Sequence, residues 1–171
     1  TLVQVPAWIT QRAVSGSTPK PITWIVEDHI PASTVTLISS VSGSGKSILA
    51  LHLALSILAG RDWLNFKCRQ SSVAYWDQDN PDAWLTDNRV CAIARGMALD
   101  VATLPQAIIF RTAGRVVGDR LKIAEMVNWL ADLKVSVLFV DTFASVNPYP
   151  ENDPNEISRA IVENFFPMVE K

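Results

Sequence analysis

The segment Ser40-Val-Ser-Gly-Ser-Gly-Lys46-Ser47 constrains this chain more than any other stretch. It lies between an apolar, β-branched run at Thr34–Ser39 and a strongly helical run at Lys46–Ala59, so strand, tight loop and helix follow one another. A glycine-rich loop in that setting is suited to holding phosphate. Gly43 and Gly45 let backbone N–H groups turn inward around a polyphosphate, and the helix adds the positive end of its dipole. Lys46 supplies a cation for the β- and γ-phosphates. Ser47 offers a hydroxyl to magnesium, an ion that keeps several waters and few protein ligands. Nucleotide contacts are therefore expected from Ser42, Gly43, Ser44, Gly45, Lys46, Ser47 and Ile48, with ATP and Mg2+ as the bound pair. Ser40 stands where the pattern GxxxxGK[ST] has its first glycine. Serine disfavours positive φ, so either the turn differs there or that position does not require glycine.

Two other strand-like runs end in carboxylates. Val137-Leu-Phe-Val-Asp141 is a buried type of strand that delivers Asp141 to the carboxyl edge of a sheet, where it would meet the magnesium that Ser47 touches. Tyr75-Trp-Asp-Gln-Asp79 is the second. Hydrolysis needs a base or water-positioning group preset near the γ-phosphate, and residue type alone leaves both Asp77 and Asp79 as candidates. The bland alternative is a pair of solvated acids ahead of a helix.

The remaining signals describe an α/β domain. Val73–Asp77 and Val135–Asp141 read as strands and Ile108–Arg111 as a short one. Asn80-Pro81 reads as the N-cap and first residue of a helix reaching about Arg95. Asp119–Leu133 reads as an amphipathic helix with Leu121, Ala124, Val127, Leu130 and Ala131 on its apolar face. Asp153-Pro-Asn-Glu156 has capping-box spacing and opens a last helix, expected to break near Pro167. Alternating strands and helices imply a mainly parallel sheet with helices on both faces. Residues 1–22, with Pro6, Gly16, Pro19 and Pro21, read as an arm or linker, leaving 23–171 as the domain. Trp8 in that arm is a candidate plug for a neighbouring subunit's pocket. Trp24, Trp63, Trp76, Trp84 and Trp129 are expected to fill the core rather than stack on bases.

Composition narrows the partners. The 171 residues carry a formal net charge of −2, which argues against a global basic field for nucleic acid or membrane. Cys68 and Cys91 lack metal-ligand spacing, and a reduced, cytoplasmic context is expected. The longest apolar stretch, Ile48–Gly60, is too short to span a bilayer. His29 and His52 lack a third ligand and read as ordinary packed or surface residues.

The run Trp24-Ile-Val-Glu-Asp-His-Ile-Pro31, then TVTLIS, SGSGKSILALHLALSILAG, VAYWDQDNP and LFVDTFASV followed by Glu151-Asn152-Asp153, resembles the RepA-like (AAA_25 type) ATPases of the RecA-like P-loop superfamily. The resemblance covers roughly residues 23–166. It implies a RecA-like core, ATP hydrolysis, and a base at Asp79, where similar proteins carry glutamate. It further implies a metal-associated role for Asp141 and the usual places for Lys46 and Ser47. Rings or filaments with ATP between subunits and an arginine finger from the neighbour are implied as well; Arg89, Arg95, Arg111 and Arg115 are candidates. A strand bearing a sensor residue would follow Lys171, so a partial core is expected.

Three functions compete. The resemblance favours an ATPase motor of the DNA replication or recombination helicase type. An acidic pI, aspartate in place of glutamate, and the absence of Lys and Arg from Ala144–Glu156 favour a regulatory ATPase acting on a protein partner. A small-molecule kinase is disfavoured, because no basic lid is visible.

Overall fold

The computed structural model describes residues 21–80, 82–104, 107–149 and 153–169. The expected arm, apart from its last two residues, lies outside the described residues, with Trp8, Pro81, Glu151 and Asn152. A small antiparallel pair, β1 (Trp24–Val26) and β2 (Ile30–Pro31), comes first, followed by α1 (Lys46–Ala59), β3 (Val73–Asp77) and α2 (Ala83–Gly96). Then come β4 (Ile108–Phe110), α3 (Arg120–Asp132), β5 (Val137–Asp141), the single turn α4 (Phe143–Val146) and α5 (Pro154–Ala160). The last helical stretch continues through a π-turn at Ile161–Phe165 into α6 (Phe166–Val169).

The main sheet is parallel, in the order β4-β3-β5. In its register Ala74 faces Ile108, Val73 faces Val137 and Asp77 faces Asp141. Every residue of β3 is buried, as a strand covered on both faces must be. Its alternation divides the core in two. Ala74 and Trp76 pack with Ile123, Met126, Val127 and Leu130 of α3 and with Val146, Ala160 and Phe165. Val73 and Tyr75 pack on the opposite side with Leu51, Leu53, Ala54, Ile57 and Leu58 of α1 and with Ile25 and Val26. Helices therefore flank both faces, as the alternating pattern predicts.

Several expected boundaries hold. α1 spans the expected residues and closes at Gly60, whose N–H reaches the carbonyls of Ile57 and Ser56. The β3 residues are those expected.

Four expectations are corrected. Thr34–Ser39 is not a strand: Val35, Leu37 and Ile38 are exposed and no ladder includes them. β-branched residues favour extended backbone, but a strand requires a hydrogen-bonded neighbour. The segment Thr34–Ile38 and β5 instead form walls of a cavity of about 790 Å3. α2 begins at Ala83 with Asp82 as its N-cap, not at Asn80, because the Asn80 amide is committed to the Asp77 carboxylate. The buried face of α3 is Ile123, Met126, Val127 and Leu130, while Leu121 is 78% exposed. Both stripes have helical spacing, and the one turned toward the sheet wins. The helix is not broken at Pro167. The wider π-turn just before it accommodates a residue that lacks an N–H and crowds the preceding turn.

The tryptophans separate similarly. Trp76 is fully buried, ring-stacked on Phe110 at 5.8 Å, whereas Trp84 and Trp129 are exposed, against expectation. Trp84 stands on the first turn of α2 and is 71% exposed.

Candidate nucleotide site

The loop ahead of α1 is held by its two glycines. Gly43 has φ 76° and Gly45, the N-cap of α1, has φ 92°; a Cβ at either would meet nothing within 4 Å. Backbone conformation, not crowding, calls for glycine there. Ser40 is not among the residues with positive φ, so the first motif position needs no glycine in this turn. Its hydroxyl bonds that of Ser44 across the loop. Lys46 Nζ donates to the carbonyls of Ser40 and Val41, both at 2.9 Å, which lays the ammonium across the mouth of the loop. Ser42, Gly43, Ser44 and Gly45 are exposed, and Ile48 is largely so. Ser47 is half-buried in the first turn, and its hydroxyl has no partner among the described residues.

At the end of β5, Asp141 is buried. Tyr75, from the neighbouring strand, donates its hydroxyl to Asp141 Oδ2 at 2.7 Å. Burial first, and then that bond to a carboxylate, push the Tyr75 phenol far above the ordinary tyrosine range, so it remains a donor at any working pH. No lysine or arginine forms an ion pair with Asp141 among the described residues. Lys46, Tyr75 and Asp141 line the same cavity; Ser47 is not among its walls.

The two acids after β3 have different surroundings. Asp77, only 4% exposed, accepts from Asn80 N, from Asn80 Nδ2 at 2.8 Å and from the Thr86 hydroxyl of α2. Arg89 in turn donates to Asn80 Oδ1 at 3.2 Å. This network ties the end of β3 to α2. Gln78 faces the other way. Its Oε1 accepts from Thr112 N, Thr112 Oγ1 and Trp76 Nε1, its Nε2 donates to the Thr112 carbonyl, and its backbone N–H donates to the Asp141 carbonyl at 2.7 Å. The strand end is thus clamped on three sides. Asp79, the next residue but one, is exposed, and its single hydrogen bond among the described residues is from Ser145 Oγ at 3.0 Å.

Residues 2–170 match the family model AAA_25, described as an AAA domain. The chain belongs to the AAA_25 family. No curated protein and no solved structure matches it.

Membership in AAA_25 makes this chain an ATPase-type, nucleotide-binding protein on a RecA-like α/β core, in accord with the parallel sheet flanked by helices. Among the described residues of this AAA_25 chain no helix is long and apolar enough to cross a membrane, and no three His, Cys, Asp or Glu side chains cluster as a metal cage. Both described cysteines are free thiols. His29 is an exposed residue resting against Phe66, with Nδ1 on the Glu27 carbonyl. Of the candidate arginines, Arg89 serves the Asn80 network internally.

Sequence reasoning missed Tyr75, Gln78 and Ser145 as parts of the site. A signal existed for Tyr75: a phenol in a strand buried on both faces must find a partner for its hydroxyl.

Asp77 should matter for folding rather than for chemistry. Asp77→Ala leaves the buried Thr86 hydroxyl and the part-buried Asn80 N–H without an acceptor, and Asn80 Nδ2 with only Thr86 Oγ1 at 3.3 Å, which costs about 3 kcal/mol. Thermal melting should fall by roughly 10 °C. An unchanged melting temperature would show that the network contributes nothing.

Proposed function

We propose that this protein hydrolyses ATP with magnesium through the loop at Ser40–Ser47, and that hydrolysis drives work on DNA by a ring or filament with ATP between subunits. The phosphates would be held by backbone N–H groups of Ser42–Ile48 and by Lys46. Magnesium would be held by the Ser47 hydroxyl and Asp141, and when bound it neutralises phosphate charge. The observation that carries this reading is Asp141, a buried carboxylate with no cation partner among the described residues, facing the same cavity as Lys46. A buried carboxylate held only by a neutral phenol suits a site that receives a cation. Asp79 is the base, favoured over Asp77 because every hydrogen bond Asp77 makes is spent on the turn into α2.

The DNA-linked part rests on the resemblance to RepA-like ATPases. It predicts ATP turnover that rises several-fold with single-stranded DNA, and a multimer on sizing that depends on ATP. A second reading has its own support: the stretch Ala144–Glu156 beyond β5 carries no lysine or arginine to meet a phosphate backbone. That favours a regulatory ATPase whose nucleotide state controls a protein partner. Turnover unmoved by DNA, together with an assembly state that differs between ATP and ADP, would replace the first reading with the second.

A further inference from the structure

The acid assigned as the base stands on a loop, and exposed loop carboxylates sample several rotamers. Something must hold Asp79 if it is to orient water. The structure supplies a candidate from a different strand end. α4 begins immediately after β5, and its N-cap is Thr142, whose Oγ1 accepts from Ser145 N at 3.3 Å. Thr142 Oγ1 and Ser145 Oγ are 3.0 Å apart, and Ser145 Oγ is 3.0 Å from Asp79 Oδ1.

Proton counting fixes the direction of this chain. A carboxylate only accepts, so the Ser145 proton points at Asp79. The Thr142 hydroxyl then donates to the lone pair that Ser145 exposes, while its own lone pair takes the Ser145 N–H. Each donor has an acceptor, and each bond polarises the next. Asp79 Oδ2 has no partner among the described residues and is the oxygen left for water.

We infer that Ser145 is a positioning residue that, with Thr142 behind it, fixes the Asp79 carboxylate relative to the end of β5. This rests on the reading of Asp79 as the base. The arrangement ties that acid to the backbone that carries Asp141, since Thr142 follows Asp141 directly and the Gln78 N–H already bonds the Asp141 carbonyl. Metal-side carboxylate and base would then move as one unit.

The test uses the full chain and the variants Ser145→Ala, Ser145→Thr and Asp79→Asn. Alanine keeps the backbone N–H that Thr142 caps, so α4 retains its start. The first readout needs no nucleotide: three-bond couplings about the Asp79 Cα–Cβ bond, measured by NMR. They should report one rotamer in the wild type and in Ser145→Thr, and averaged rotamers in Ser145→Ala. The second is turnover. Ser145→Ala should lower kcat by about 10- to 100-fold, the scale of one charge-assisted hydrogen bond, with ATP affinity unchanged and the threonine variant largely restored. In the Asp79→Asn background Ser145→Ala should cost nothing more. An Asp79 rotamer indifferent to Ser145→Ala, or an unchanged kcat in that variant while Asp79→Asn is inactive, overturns the positioning role alone. Wild-type turnover by Asp79→Asn overturns the base assignment, and the positioning role with it.

Discussion

Lys46→Ala should weaken ATP binding at least 100-fold. In the structure the Lys46 ammonium bridges the carbonyls of Ser40 and Val41, which fixes a cation at the mouth of a loop whose other polar groups are backbone and hydroxyl. A polyphosphate that enters there gains a charge-assisted contact worth about 1.5–3 kcal/mol per hydrogen bond. Removing the ammonium removes more than one such bond, and about 2.7 kcal/mol already corresponds to a factor of 100 in affinity. The variant should remain folded, because Lys46 begins α1 and alanine is the better helix former. Titration with a fluorescent ATP analogue, beside a melting curve, separates the two effects. Lys46→Arg keeps the charge but carries it on a planar fork rather than a compact ammonium, and should recover only part of the affinity. Near-wild-type binding by Lys46→Ala would remove this loop as the phosphate site.

How far the sequence reveals such a site depends on which interactions are local. The loop is legible because its requirement is written into consecutive residues: two glycines in the left-handed region, a lysine, then a helix whose cap and closing Gly60 are also local. β3 is legible because a strand buried on both faces must be a continuous apolar run, and β5, half-buried as far as Asp141, carries the same kind of run. The segment Thr34–Ser39 is also rich in β-branched residues and fails, since pairing is a property of two segments and its composition names no partner. The apolar face of α3 was displaced for a related reason. Val127 and Leu130 belong to both candidate stripes, and only packing against Ala74 and Trp76 selects the one with Ile123 and Met126.

The choice between Asp77 and Asp79 shows the same division within three residues. Residue type leaves them equal, and the resemblance to RepA-like ATPases points to Asp79. The structure adds a physical reason that no local pattern contains: Thr86, nine residues further on, reaches back to occupy Asp77. Ser145 reaches Asp79 from beyond the end of the neighbouring strand β5, a separation of 66 residues. Contacts of that kind appear only when strand order brings the ends of β3 and β5 together.

Asp79→Ala should leave ATP binding intact and stop hydrolysis. The carboxylate is exposed and touches only Ser145 among the described residues, so its removal opens no cavity and strands no buried donor. The melting temperature should stay within a degree or two of wild type, roughly the scale of a surface substitution, in contrast to the loss expected for Asp77→Ala. General-base assistance contributes about 100- to 10,000-fold, and turnover should fall by that order while ATP affinity does not. The resemblance to RepA-like ATPases implies a glutamate at this position, one methylene longer than aspartate, so Asp79→Glu is the informative companion. It either reaches the attacking water better and raises kcat, or loses the contact that Ser145 makes with the shorter side chain and lowers it. The rotamer couplings of residue 79 distinguish these outcomes. If Asp79→Ala hydrolyses ATP at the wild-type rate, the base lies elsewhere, and the buried Asp77 could replace it only by first releasing Asn80 and Thr86.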